Sequence, residues 1–430
     1  MRVDGLQSIL SSITNRISGG ATMKQQLEEL RFRMQEDVLD NILPFWMDRT
    51  VDEKNGGFIG EMTSDGTIRD DADKYLVLNA RLLWTFSAAN RVFDDPQYLP
   101  FAERAFDYLT TWFWDHENGG GFWAVHADGS PAVRSKVTYG QGFLLYAFSE
   151  YARATGRPEA FDYADRIFHY IDQECRQDDH YVEIARSDQS DAKAALAIAP
   201  AGQLSMNTHL HILEPLTAYA RIRQTDDALR ALENMIRLTA EVIYNSETHH
   251  FNYFFDQQMK PVSREFSFGH DIEGSWLLFE AAEVYHRVSK DRDRADHWLS
   301  RSREIAVEMA GAVLREAMDP EIGGIYDLGL PDGTIVGPEK VWWAQAEAVV
   351  GSLNAWQISQ DGWFLDQALI IWDYIEDYII NNEEGEWLAA GRDSKPEQNS
   401  PFLVSPWKCP YHNSRAAFEV YERVNQILKV

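Results

Sequence analysis

The sequence predicts an all-α fold, a single (α/α)6 barrel of six inner and six outer helices joined by short β-hairpin-like turns. Two observations carry this. A polar turn followed by an aromatic or β-branched pair recurs six times, at a spacing of roughly 60–75 residues. Between successive turns lie two helical patterns, one amphipathic and one more apolar.

The turns are Asn55-Gly-Gly-Phe58, Asn118-Gly-Gly-Gly-Phe-Trp123 and Asp178-Asp-His-Tyr-Val182, then His249-His-Phe-Asn-Tyr-Phe254, Ile322-Gly-Gly-Ile-Tyr326 and Glu384-Gly-Glu-Trp-Leu388. Their glycines supply the left-handed positions of a tight turn. An amphipathic helix precedes each turn: Met23–Trp46, Tyr98–Trp114, Phe161–Cys175, Asp226–Tyr244, Arg294–Arg315 and Gly362–Ile380. A more apolar helix follows each: Tyr75–Val92, Tyr139–Ala154, Thr208–Arg223, Asp271–Val288, Trp342–Ile358 and His412–Leu428. Polar breaks such as Ala154-Thr-Gly-Arg-Pro158 and Ser289-Lys-Asp-Arg292 stop these second helices. Six pairs exceed a four-helix bundle, and an open solenoid needs capping repeats. The pattern opens on an outer-type helix and closes on an inner-type one, which suits a ring. Residues 23–430 are therefore expected to form one barrel domain. Residues 1–22 read as a flexible polar leader without a signal-peptide core, and Met23 is a candidate start.

Composition narrows the function classes. The 430 residues carry 40 Lys+Arg against 68 Asp+Glu, a net charge of −28. That balance argues against a nucleic-acid partner and against an anionic membrane surface. It reads as a solvated exterior. No run of about 18 apolar residues is present to span a bilayer. Two cysteines, Cys175 and Cys409, support neither a disulfide framework nor a cysteine zinc site. They fit a reducing, cytoplasmic setting.

The inner-type helices carry unusual polar residues near their starts, as expected if those ends line one pocket. Asn207 and His211 share a helix face at i and i+4, with Glu214 a further three residues on. His270 and Glu273 are at i and i+3. Units three, four and six thus each offer one histidine, His211, His270 and His412, to a common cavity. His209 is two residues from His211 and should point elsewhere. A lone histidine on an apolar helix is usually structural, but three at equivalent repeat positions are harder to dismiss. Of the neighbours Trp342 and Trp343, at most one is expected to face the cavity. His249-His250 reads as surface. A zinc site from His209, His211 and His270 lacks the i,i+4 histidine spacing, so no metal is expected. Neither a phosphate loop nor a G-x-S-x-G elbow occurs.

Histidines titrate near neutrality and can take and return a proton. Arg81 could stabilise an enolate-like oxygen, and tryptophans stack on sugar faces. These parts describe epimerisation or isomerisation beside a carbonyl. A glycoside hydrolase using Glu214, Glu273 or Glu347, and a non-catalytic sugar-binding module, are the competing readings.

The segments Met206-Asn-Thr-His-Leu-His-Ile-Leu-Glu214, Gly269-His-Asp-Ile-Glu-Gly-Ser-Trp-Leu-Leu278, Trp342-Trp-Ala-Gln-Ala-Glu-Ala-Val-Val-Gly351 and Trp407-Lys-Cys-Pro-Tyr-His-Asn413 resemble the N-acylglucosamine 2-epimerase superfamily, most closely its cellobiose 2-epimerases. Lys136-Val-Thr-Tyr-Gly-Gln141 and Asn79-Ala-Arg-Leu-Leu-Trp84 match as well. The resemblance implies a cofactor-free sugar 2-epimerase whose partner is a small sugar; the chain is expected to be a monomer or homodimer. It implies ring opening, removal of the C2 proton to give a cis-enediolate, and return of a proton to the opposite face. Carried over, His270 and His412 are the acid/base pair, and His211 and Arg81 hold the enediolate oxygens. Tyr139, Asn207 and Glu273 orient the sugar or assist ring opening, while Trp343 and Trp407 are stacking platforms. The stretch Asp188 to Ser205 departs from the disaccharide pattern: Ala194 to Ala201 is apolar where a charged run is expected. Pro215 after Glu214 is a second departure. Both keep a mannose 2-epimerase, or an aldose–ketose isomerase of the same superfamily, as alternatives.

Overall fold

A computed structural model describes residues 22–185, 198–395 and 400–429. The expected leader, apart from Thr22, lies outside the described residues, as do residues 186–197 of the atypical stretch. Among the described residues, twelve principal helices follow the predicted order. They are α1 (Met23–Asp37, continuing through a π-turn at Val38–Ile42 into Leu43–Arg49), α2 (Leu76–Phe93), α3 (Leu99–Tyr108), α4 (Thr138–Thr155), α5 (Pro158–Tyr170) and α6 (Met206–Ile222). Then come α7 (Asp226–Leu238), α8 (Phe268–Val288), α9 (Arg292–Glu316), α10 (Trp342–Ser359), α11 (Gly362–Tyr374) and α12 (Tyr411–Leu428). Even-numbered helices pack on one another in sequence, and α12 packs on α2, closing the ring. The fold is the expected (α/α)6 architecture. Each outer helix leans mainly on the inner helix before it, and α1, having none before it, lies on α12.

Sequence explains the two layers. Outer helices such as α7 bury one stripe, Ala228, Ala231, Leu232, Met235 and Ile236, and face solvent elsewhere. Inner helices are buried on nearly all sides; every residue from Leu76 to Ala89 of α2 is buried. Glycine lets neighbouring inner helices touch. A Cβ at Gly142 would lie 2.4 Å from the His211 carbonyl oxygen, and one at Gly351 2.8 Å from the Ile272 carbonyl oxygen. Backbone cannot swing aside as a side-chain tip can. Gly142→Ala is therefore expected to destabilise the protein by about 1–3 kcal/mol. A urea-denaturation loss below about 0.5 kcal/mol, the level of an inert surface change, would show that the contact relaxes freely.

The short strands do what the repeat alone did not reveal: they tie each unit to the next. Lys74–Tyr75 pairs with Ala124–Val125, Leu204–Ser205 with Phe254–Phe255, and Phe266–Ser267 with Leu328–Gly329. Single bridges Val137–Ile184 and Val341–Ala390 fill two further joints. Met62–Thr63 pairs with Phe402–Val404 and joins the first unit to the last. The first amide of five inner helices donates across the same joints: Leu76 to Trp123, Thr138 to Glu183, Met206 to Tyr253, Phe268 to Asp327 and Trp342 to Ala389. Helix-start N–H groups have no partner within their own helix, so these ladders both satisfy them and fix where the helix ends point.

Four buried lysines repeat the logic within units. Lys74, Lys136, Lys340 and Lys408 pair with Asp52, Asp115, Asp319 and Glu386 at 2.7–2.9 Å. Each pins its unit's turn beneath the start of the following inner helix.

Candidate active site

One cleft of about 610 Å3, counting its open mouth, sits at the N-terminal ends of the inner helices. Its size suits a small-molecule site. Arg81, Tyr139, Asn207, His211, His270, Glu273, Trp343, Trp407 and His412 all line it, with Ile198 and Trp342. The structure thus brings all nine residues that the resemblance assigns to the site into one cavity, while Glu214 and Glu347, the other hydrolase candidates, do not line it. Helix register explains this. Arg81, His211, Glu273 and Glu347 each occupy the sixth position of their inner helices. Tyr139, Asn207 and Trp343 occupy the second. Those two positions lie one turn apart on the face turned to the barrel axis.

The fourth position has a different task. Gln141 exchanges hydrogen bonds with the Gly121 backbone, and Gln345 does the same with Ile325. His209 fills this slot in α6. Its Nδ1 lies 2.7 Å from the Ser205 carbonyl, and its Nε2 accepts the Tyr181 amide. Burial pushes its pKa down to about 4. It points away from His211, as expected, so the hypothetical zinc set cannot assemble.

Two expectations need correction. Trp342 and Trp343 both line the cleft. They are the first two residues of α10, and beside a helix end adjacent side chains splay around one opening rather than dividing between faces. His250 is not at the surface. It is buried, stacked on Phe266 at 3.8 Å, with Nδ1 2.8 Å from Asp271 and Nε2 3.2 Å from Glu316. The turn that carries it folds onto α8, where Asp271 holds the fourth position.

The three cavity histidines are held by different partners. His211 Nδ1 lies 3.1 Å from Glu214, and His412 Nδ1 lies 2.7 Å from Glu347. A carboxylate accepts only, so both rings carry a proton on Nδ1 and turn Nε2 away from that partner. His270 Nδ1 instead meets the Ser267 hydroxyl at 2.8 Å, a group that can donate or accept. The His270 and His412 rings lie 4.6 and 5.5 Å from the Trp343 ring, one from α8 and one from α12. Burial, then His211 and Arg81, push His270 down to about 3. Burial, then Arg81 and Arg415, hold His412 well below the usual histidine range. A ring with low proton affinity is a strong donor once it carries a proton.

Arg81 has no carboxylate partner among the described residues. It donates to Tyr139 Oη at 3.0 Å, contacts Cys409 Sγ at 3.6 Å, and lies over the Phe143 and Tyr411 rings. Burial opposes its charge, but Tyr139, Cys409 and Tyr411 keep it fully protonated. Its charge is thus free for an anionic oxygen. Trp407 leans on Tyr139 at 5.7 Å and on Trp123 at 6.2 Å. Arg81 Nε, Asn207 Oδ1, Glu273 Oε2 and Trp342 Nε1 are buried and find no partner among the described residues. Burial, then the Glu347 charge, raise Glu273 to about 7.

Sequence reasoning missed Arg415. It lies three residues beyond His412 on the same face of α12, which is the signal that could have found it. Its guanidinium joins Glu214, Glu273 and Glu347. The carboxylates that a hydrolase reading would need are therefore committed to one guanidinium. Glu273, Glu347 and His412 place ligand atoms within 4.8 Å of one another, close enough for one ion. Arg415 already supplies the cation on both carboxylates.

A barrel whose inner-helix ends gather three histidines, tryptophans and a guanidinium with no carboxylate partner among the described residues fits a class: enzymes that move protons on a sugar. Residues 57–413 match the family model described as N-acylglucosamine 2-epimerase (GlcNAc 2-epimerase), and the chain belongs to that family. The cellobiose 2-epimerase of Bacteroides fragilis is 37% identical over 91% of this chain and 99% of its own length. The solved cellobiose 2-epimerase of Bacillus thermoamylovorans superposes with a TM-score of 0.83 at 31% identity, covering 92% of this chain and 100% of that one. The D-mannose isomerase of Marinomonas mediterranea is 22% identical over 90% of this chain and 95% of its own length.

Proposed function

We propose that this carbohydrate epimerase, an isomerase, inverts C2 of the reducing-end aldose of a β-1,4-linked disaccharide of the cellobiose or lactose type. The observation that carries the mechanism is the placement of His270 and His412 on two helices either side of Trp343. The sugar opens to its aldehyde, with Glu273, Tyr139 and Asn207 orienting it. Nε2 of one histidine takes the C2 proton, and the C2–H electrons form the cis-enediolate. Arg81 and His211 hold the oxygens on which negative charge develops. Rotation about C2–C3 turns the other face of C2 toward the second histidine, which enters the cycle protonated on both nitrogens and gives its Nε2 proton to C2; the first histidine then releases the proton it took to solvent and the second takes one up. No metal or organic cofactor takes part in this scheme. The substrate is a neutral sugar, and we place the enzyme in the cytoplasm; among the described residues no helix is long and apolar enough to cross a membrane.

The apolar stretch Ala194 to Ala201 supports a second substrate reading, free mannose, because Ile198 of that stretch lines the cleft. Incubation in D2O with cellobiose and mannose side by side tests both. Deuterium is expected at C2 of the cellobiose reducing end, with glucosyl-mannose as product. Turnover of mannose alone would transfer the assignment to the monosaccharide, and no C2 deuterium in either sugar would sink the epimerase mechanism.

A further inference from the structure

Beneath the cleft, one cation serves several groups. Arg415 is 1% exposed. Its Nη1 contacts Glu214 on α6, and its Nη2 contacts Glu273 on α8 and Glu347 on α10. The Trp276 and Tyr411 rings lie over the guanidinium at 4.9 and 4.5 Å. Two of these carboxylates each hold a cavity histidine by Nδ1: Glu214 holds His211 and Glu347 holds His412. Trp276 Nε1 fixes the far oxygen of Glu347 at 3.1 Å, and the Tyr411 hydroxyl donates to Glu214. His270 stands outside this network, on Ser267.

We propose that Arg415 is a positioning residue whose single guanidinium, through Glu214 and Glu347, sets the tautomer and ring orientation of both His211 and His412. The planar fork is what the task needs. Its two terminal nitrogens point at different helices, whereas a lysine ammonium is one point charge on a flexible stem. Three carboxylates around one guanidinium also carry surplus negative charge. Glu273, whose Oε2 has no partner among the described residues, is the one placed to hold a proton.

The test follows the histidine side chains by 15N–1H correlation NMR in the full-length 15N-labelled enzyme. In the parent, His211 and His412 are expected as Nδ1–H tautomers. In Arg415→Lys both should shift toward mixed tautomers, while His270 keeps its parent signals. Unchanged His211 and His412, or an equal change in all three histidines, overturns the proposal. If Arg415→Lys does not fold, Glu214→Gln replaces it. His412 should then shift although its own partner Glu347 is intact, and an unmoved His412 overturns the proposal. The kinetic arm rests on the epimerase reading. There kcat should fall about 10- to 100-fold, as when the group orienting a histidine through its second nitrogen is lost. KM should change less than kcat, because Arg415 itself does not line the cleft. Shifted tautomers with parental kcat would refute the roles given to the two histidines while leaving Arg415 as the group that sets them.

Discussion

His412→Asn and His270→Asn are each expected to lower kcat by about 10^2–10^4-fold, the usual contribution of a positioned acid or base. The informative readout is exchange without inversion. If the two rings work on opposite faces of C2, each variant keeps one of them. In D2O one variant should still wash the C2 proton from the gluco epimer and the other from the manno epimer, with little interconversion. Both variants exchanging the same epimer would refute the two-sided arrangement. The unlike partners of the two rings add a second expectation. Ser267→Ala should impair exchange on the His270 side and leave the His412 side, held by Glu347 at 2.7 Å, near parental.

Lys408→Met should produce the largest loss of stability, about 3–5 kcal/mol, because it strands a buried carboxylate. Lys408 is 1% exposed and Glu386 is fully buried, and they meet at 2.9 Å. Asn413 and the Trp387 amide also donate to Glu386, as does Trp46 from α1. Removing only the lysine leaves the anion in place among neutral donors. The double variant Lys408→Met/Glu386→Gln should recover most of the loss, since both charges are then gone. Urea midpoints decide it. A single-variant loss under about 1 kcal/mol, the value of an exposed pair, would mean that water reaches Glu386.

The ring was legible because the turn motif repeats and the two helical patterns differ in how much of their surface is apolar. The cavity residues were legible because inner-helix starts are poor places for polar side chains without a task. Harder was telling one polar task from another. His209 and His211 look alike in sequence, and their i+2 offset suggested only that one points away. Counting from each helix start separates them: the fourth position ties down a turn and the sixth faces the cavity, as Gln141 and Arg81 show in their own helices. His250 was misjudged because polar turns normally face water, and nothing local reveals that this turn lies on Asp271. Arg415 escaped notice because its partners lie 68 to 201 residues away in the chain. The cross-unit ladders were hidden for the same reason: two-residue strands leave no periodicity to read.

The joint between Met62–Thr63 and Phe402–Val404, with α1 resting on α12, has a consequence for how the molecule is made. Arg33 of α1 reaches Glu376 at 2.8 Å, and Asp37 accepts the indole N–H of Trp387 at 2.8 Å. During synthesis the first outer helix must wait for more than 300 residues before its bed exists. Such long-range closure is slow, and the amphipathic α1 is exposed to chaperones or misassociation until then. The helix that completes the ring also delivers His412 and Arg415. On the mechanism proposed above, a nascent chain that lacks the last unit lacks both residues, and activity should appear only when that unit docks.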